Sequence, residues 1–429
     1  MSTPSSPPNS LPTEKPRRGM ASSLAFCAGW PLRRLLLRLL GSVRSGSLAV
    51  ELPGGEHIEG RGTAPGPQAS IRLHRWRPLL RLLLQGDLGL AESYRDGDWS
   101  SPDLTALLEF GIRNEANWGR ALEASWPARW LTRLFHLRRA NSRRGSRQNI
   151  SFHYDMGNDF YAQWLDPELI YSSALYTVGD ESLEAAQAAK LDRIVALLDV
   201  PDDAKVLEIG CGWGALALAL ARKHRASVTG LTLSTEQLAH ANQRVADAGL
   251  THAVDLRLQD YRDVQGEYDR IVSIEMLEAV GERYWPVYFE TLRQRLRPDG
   301  SAVLQVITIA DDYFEHYRRG TDFIQRFIFP GGMLPSVSVM QAQAAQVGMR
   351  LETAVSFGDS YGITLAEWRH RFLRAWPSIE ALGFDASFRR LWEYYLCYCE
   401  AGFRSGRVDV GLFTVVHADP AGLTAATAS

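Results

Sequence analysis

A chain of 429 residues, 45% apolar and 22% charged, is long enough for two to three domains and a sizeable core. Its four cysteines (Cys27, Cys211, Cys397 and Cys399) show no zinc-ligand spacing and fit a reducing cytoplasm, which sets aside a disulfide scaffold and a metal site. The net charge of −2 hides an asymmetry: residues 1–150 hold 22 Lys/Arg against 12 Asp/Glu (+10), leaving −12 for the remainder. A basic front part asks for an anionic partner, a membrane surface or a nucleic acid.

Residues 1–44 read as a tail followed by a basic amphipathic segment. Positions 1–20, rich in Ser, Pro and Thr, are expected to be disordered. Trp30 to Leu40 suits either a membrane surface or a packed helix with exposed arginines. Its apolar stretch Leu35–Leu40 is short and broken by Arg38, so neither a transmembrane helix nor a signal peptide is expected, and the protein should stay in the cytoplasm. Strand-like Ser47–Leu52 and Ala69–Leu73, with helical Leu79–Gln85 and Leu104–Phe110, give a small α+β accessory domain over 45–125. Residues 126–148 form a basic linker with arginines at 129, 133, 138, 139, 143, 144 and 147, interleaved with Trp130, Leu131, Leu134 and Phe135. Such a run is either a solvated face or a contact with anionic lipid headgroups, each charge contributing about 1 kcal/mol. No zinc finger or RNA-binding signature supports a nucleic-acid partner.

The main domain is expected over 149–418, with 419–429 as a tail. An amphipathic helix, Gln187–Leu198, leads into Val206-Leu207-Glu208-Ile209-Gly210-Cys211-Gly212-Trp213-Gly214 and a strong helix former, Ala215–Ala221. That reads as strand, tight turn and helix, with glycines that let a ligand approach backbone and a helix start with free N–H groups. Glu208 is placed to order the loop or to accept hydrogen bonds from the ligand. Gly210, Gly212 and Ala215 also satisfy the loose dinucleotide pattern, but the second strand, Ala226–Thr232, ends without the acid that would hold a ribose. Further strands at Tyr268–Ile274 and Ala302–Ile307 complete an alternating pattern, hence a parallel doubly wound sheet with ligand loops at the strands' carboxyl ends. The order resembles a class I, Rossmann-like methyltransferase carrying a smaller N-terminal α+β domain. Beyond it, Phe323–Pro330 with Gly331-Gly332 suits either a wall for a long hydrophobic ligand or plain core.

Five blocks carry a narrower resemblance: His153-Tyr154-Asp155-x-Gly157-Asn158-Asp159-Phe160; Tyr171-Ser172-Ser173-Ala174; Glu208 to Gly214; Gln259-Asp260-Tyr261-Arg262-Asp263; and Phe329-Pro330-Gly331-Gly332-x-Leu334-Pro335-Ser336. Together they resemble the cyclopropane-fatty-acyl-phospholipid synthase family, which includes mycolic-acid cyclopropane synthases. The resemblance implies methyl transfer from S-adenosylmethionine to a cis double bond of an acyl chain in a membrane phospholipid, at the inner face of the membrane. Its products are a cyclopropane or a methyl- or methylene-branched chain, and a lipid-binding protein without catalysis is the alternative of another class. It also implies a bound bicarbonate as base, and it allows a homodimer.

Carried over residue by residue, the resemblance makes Glu278, Tyr361, Ser173, Gln305 and Cys399 the catalytic candidates. Ser173 stands where the family has Cys, Ala279 and Gln305 where it often has His. These departures bear on bicarbonate binding and on the fate of the cation. Tyr171, Ser172, Glu208, Gly210, Gly212, Trp213, Thr232, Leu233 and Gln237 would contact the cofactor, and Asp260 and Tyr261 would border its adenine.

Overall fold

The computed structural model describes residues 32–122 and 156–418. The tails expected at 1–20 and 419–429, the arginine run from 129 to 147 and His153-Tyr154-Asp155 lie outside the described residues.

A helix over 32–41 (α1) opens the described chain, its Leu36, Leu39 and Leu40 buried. Four strands follow: β1 (Ser45–Glu51), β2 (His57–Arg61), β3 (Ala64–Leu73) and β4 (Trp99–Ser100), in the order β2-β1-β3-β4. Helices α2 (Arg77–Gln85) and α3 (Asp87–Arg95) are inserted before β4, and α4 (Leu104–Leu122) follows it. Alternate residues of the strands, Leu48, Val50, Ala69 and Leu73, point into the core under α4. The fully buried Asn114 of α4 fastens that helix to β1. Its Oδ1 accepts from the N–H groups of Arg44 (2.9 Å) and Ser45 (3.1 Å), and its Nδ2 donates to the Ser45 carbonyl (2.9 Å).

The larger part is the α/β sheet that the sequence predicts. Helix α5 (Leu183–Leu198) precedes β5 (Lys205–Ile209), and α6 (Ala215–His224), β6 (Ser227–Thr232) and α7 (Thr235–Asp247) follow. The remaining strands are β7 (Val254–Leu258), β8 (Tyr268–Ile274), β9 (Leu296–Ile309), β10 (Met349–Ser356) and β11 (Val408–His417), with α8 (Gly358–Arg374) and α9 (Ala386–Arg404) between the last two. The strand order is β10-β11-β9-β8-β5-β6-β7, parallel throughout except for β11, which runs antiparallel to β9 and β10. Unbroken apolar runs such as Val206-Leu207 and Ala302-Val303-Leu304 are buried because helices cover both faces of the sheet. The order reverses at β5, so the loops after β5, β6 and β8 open on one crevice.

Several elements differ from the sequence expectation, which gives no strand at β2, β10 or the antiparallel β11. Edge strand β7 escapes the apolar-run criterion because Asp255 and Arg257 alternate with Val254 and Leu256. Strand β9 begins at Leu296 and runs through Pro298-Asp299-Gly300, which reads as a turn in the sequence. Helix α4 extends twelve residues beyond Phe110, to Leu122.

Helix α9 joins the two sheets. Its buried Glu400 accepts from Thr105 of α4 (2.8 Å) and pairs with Arg404 (2.6 Å) and Arg369 (3.3 Å), while Tyr94 of α3 donates to Glu393 (3.2 Å). Arg407 pairs with Glu115 of α4 at 2.5 Å.

Candidate active site

Two cavities meet at the carboxyl ends of β5 and β8. The smaller lies over the glycine loop and is lined by Tyr171, Ser172, Lys190, Glu208 to Trp213, Thr232, Leu233, Gln237, Gln259 and Tyr261. The larger, about 1770 Å³, runs between the two sheets and is mostly apolar, with Ile307, Ile324, Phe329, Met333, Leu365 and Phe403 in its wall. Tyr171, Glu275 and Met276 line both.

The loop geometry follows from its glycines. Gly210 (φ 84°) leaves room for Met276, whose Cγ a Cβ there would meet at 2.4 Å. At Gly212 (φ 52°) a Cβ would meet nothing within 4 Å, so the backbone is bare on the cavity side. Glu208 orders the loop. One oxygen accepts from the Ala217 N–H at the start of α6, and Oε2 has no partner among the described residues. Burial pushes this carboxyl up to about 8. Thr232 donates to Gln237 Oε1 (2.9 Å), and Trp213 donates to Asn158 (2.7 Å). A bare glycine backbone, a buried carboxyl oxygen without a partner among the described residues and a buried amide fit a polar ligand of the S-adenosylmethionine kind. Asp260 does not join this wall: Arg262 holds its carboxylate with Nε at 2.8 Å and Nη2 at 2.5 Å, and the neighbouring Gln259 and Tyr261 face the cavity instead.

Of the expected catalytic residues, Ser173, Gln305 and Tyr361 converge, but on Glu275. Its Oε1 accepts from the Ser173 N–H (2.9 Å) and Gln305 Nε2 (2.8 Å), and its Oε2 accepts from the Tyr361 hydroxyl (2.7 Å). The Ser173 hydroxyl turns away to the Ala174 carbonyl (2.9 Å). Glu275 has φ 50°, a left-handed conformation that costs a side-chain-bearing residue about 1–2 kcal/mol and here aims its carboxylate at the three donors. The donors expected to hold bicarbonate are therefore occupied by a protein carboxylate, and they do not fit a second anion beside it.

Glu278 sits three residues on, in the wall of the larger cavity. Its Oε1 accepts from the Ile307 N–H, and Oε2 has no partner among the described residues. Burial, then the charge of Glu275, pushes this carboxyl up to about 8, so it stays protonated at neutral pH. Burial raises Glu275 as well, but Ser173, Tyr361, Lys190 and Gln305 all pull it back. Glu275 thus ionises more readily than its burial alone would allow. Cys399 lines the larger cavity with its thiol pushed up by burial, which leaves a neutral, weakly nucleophilic group.

Besides Glu275, a second residue at this junction is absent from the sequence candidates. Lys190 of α5, 1% exposed, donates to Ser172 Oγ at 2.7 Å. Burial lowers its ammonium to about 8 against the opposing pull of Glu275, Asp166 and Glu208. The sequence carries a signal for it: Leu183, Ala186, Gln187, Lys190 and Ile194 follow helical spacing and all are buried.

A glycine-loop cofactor crevice on a doubly wound sheet, joined to a large apolar cavity, defines a methyltransferase of class I architecture that acts on a hydrophobic substrate. Comparison with known proteins narrows the class. The description "Mycolic acid cyclopropane synthetase" matches residues 141–413, and the chain belongs to this family. It is 40% identical over 379 residues to the tuberculostearic acid methyltransferase UfaA1 of Mycobacterium tuberculosis, covering 84% of this chain and 87% of that one. It is 36% identical over 380 residues to the cyclopropane-fatty-acyl-phospholipid synthase of Escherichia coli, covering 86% and 92%. The crystal structure of mycolic acid cyclopropane synthase CmaA1 complexed with SAH and CTAB superposes with a TM-score of 0.58 at 30% identity, over 63% of this chain and 97% of that one. The chain is an S-adenosylmethionine-dependent methyltransferase that modifies lipid chains. No helix among the described residues is long and apolar enough to cross a membrane.

Proposed function

We propose that this enzyme methylates the cis double bond of an unsaturated acyl chain in a membrane phospholipid, with Glu275 as the base. The observation that carries the reading is the triad of donors on Glu275 at the point where the two cavities meet. Two facts support a phospholipid. The larger cavity has the size and apolar lining for a long chain. The match to the Escherichia coli enzyme named for phospholipid spans 86% of this chain and so takes in the accessory sheet, whereas the mycolic acid enzymes match over 62%.

Gly210, Gly212, Glu208, Thr232 and Gln237 would hold S-adenosylmethionine, which supplies an electrophilic methyl to the junction. An alkene is a poor nucleophile, so the chain must be held in line and water excluded, which the apolar wall does. The π electrons would form the new C–C bond as the sulfonium S–CH3 bond breaks and its electron pair leaves on sulfur, and the cation left on the adjacent acyl carbon would give up a proton to Glu275. Loss of that proton from the new methyl closes a cyclopropane, the product we propose. Loss from a neighbouring chain carbon leaves a methyl-branched alkene. A methylene branch needs a hydride shift that moves the cation onto the methylated carbon, then loss of a proton from the methyl, and a saturated methyl branch would need a further hydride donor. The branched reading has two observations in its favour: a tethered carboxylate in place of a bound anion, and the 40% identity to a tuberculostearic acid methyltransferase.

The experiment is incubation with labelled S-adenosylmethionine and vesicles of cis-unsaturated phospholipid, then proton NMR of the released fatty acids. Upfield ring protons establish the cyclopropane and olefinic methylene signals the branch. An absence of label in lipid sinks the proposal.

A further inference from the structure

Two helices of the accessory domain line the apolar cavity with one face and turn leucines outward with the other. In α1, Leu36, Leu39 and Leu40 line the cavity, while Arg34, Leu37 and Arg38 are exposed at helical spacing. In α2, Leu79 and Leu82 line the cavity, while Leu80 and Leu84 lie one turn apart on the outer face, flanked by Arg77 and Arg81. Three of the eight exposed large apolar side chains among the described residues, Leu37, Leu80 and Leu84, fall on these two short helices. A helix packed on a domain in water ordinarily buries its leucines and presents polar side chains. Arginine and leucine sharing the outward face is the pattern of a helix lying at the headgroup boundary of a bilayer.

Charge selects the occupant. The two helices carry five arginines (33, 34, 38, 77 and 81) and no acidic residue. Glu56, Asp98 and Asp96 hold Arg33, Arg77 and Arg81 in place from neighbouring segments, and Arg38 makes no ion pair among the described residues. The cavity behind the helices is continuous to Glu275 and Tyr361.

We infer that the outer faces of α1 and α2 dock on an anionic phospholipid bilayer, so that an acyl chain passes from the bilayer into the cavity these helices line. The inference rests on the lipid-substrate reading above. It joins the two roles open to the basic segment in the sequence: α1 packs against the domain and also meets the membrane.

The test uses the full chain and its triple variant Leu37→Gln, Leu80→Gln, Leu84→Gln, none of which lines either cavity. Both are sedimented with vesicles of dioleoyl phosphatidylcholine and phosphatidylglycerol, and both are assayed on the same lipid in vesicles and in detergent micelles. The variant should bind S-adenosylmethionine with unchanged affinity, sediment with vesicles about tenfold less well, lose vesicle turnover in proportion and keep micelle turnover. Undiminished sedimentation, or equal loss of both turnovers, overturns the inference. So does a change from dimer to monomer with vesicle binding intact, because a second copy would then be the occupant. A parent protein that sediments with vesicles yet methylates no lipid refutes the substrate reading and leaves the docking face standing.

Discussion

Replacing Glu275 by Gln tests the base with little change of shape. In the wild type, Oε1 takes the Ser173 N–H and the Gln305 amide, and Oε2 takes the Tyr361 hydroxyl. A Gln amide can put its oxygen where two donors converge and its NH2 toward Tyr361, whose hydroxyl rotates to accept. The fold and the cofactor crevice should survive, but the amide cannot take a proton. A positioned base contributes about 10²–10⁴-fold, so kcat should fall by that factor while S-adenosylmethionine affinity by calorimetry stays within about twofold. Glu275→Gly goes further, because glycine relieves the φ of 50° and uncovers the three donors. Added bicarbonate or formate should then restore part of the lost turnover. Full activity of Glu275→Gln, or no rescue of a folded Glu275→Gly that still binds cofactor, would refute the assignment.

The other predictions concern cofactor, charge and pH. Gln237→Ala removes the amide that Thr232 orients over the smaller cavity, and calorimetry should show about tenfold weaker cofactor binding with kcat at saturation little changed. Lys190→Met removes the cation beside Glu275, so the base ionises less readily and the acid limb of the kcat–pH profile should move up by about one unit; an unmoved limb would make Lys190 purely structural. Glu278 is raised from 4.5 to about 8 in the folded state, so the fold binds the extra proton between those values and stability falls as pH rises through them. Glu278→Gln should flatten that decline by on the order of 2 kcal/mol in denaturant titrations at pH 5 and pH 8, and an unchanged slope would count against the burial argument.

The fold was legible because parallel strands are written as apolar runs and the glycine loop punctuates them; β7, half polar at the sheet edge, had neither mark. The wall of the smaller cavity was legible for the same reason, since Gly210, Gly212 and Thr232 sit at strand ends whose positions the pattern defines and Gln237 lies in the helix that follows. The base was not. Ser273-Ile274-Glu275-Met276-Leu277-Glu278 offers two acids three residues apart, and matching along the family motif selects Glu278. Which of them reaches the donors depends on a left-handed turn at Glu275 and on Gln305, thirty residues away on β9. Neither is encoded in local spacing. Lys190 lay within reach of the helical period, but lysine is ordinarily assigned to the solvent face.

The pair of glutamates divides its labour by environment. Glu275 has three donors and the field of Lys190, which pull down a carboxyl that burial raises; Glu278 has one backbone N–H and a negative neighbour, and burial pushes it up to about 8. Two like charges this close cannot both form cheaply, so ionising one protonates the other. The donors also come from three separate segments: the loop before α5, strand β9 and helix α8. A carboxylate fixed at three points cannot follow the substrate as a free anion can. Which proton leaves the methylated chain is then a matter of how the chain lies against Met276 and Ile307, and product identity becomes a property of the cavity wall as well as of the base.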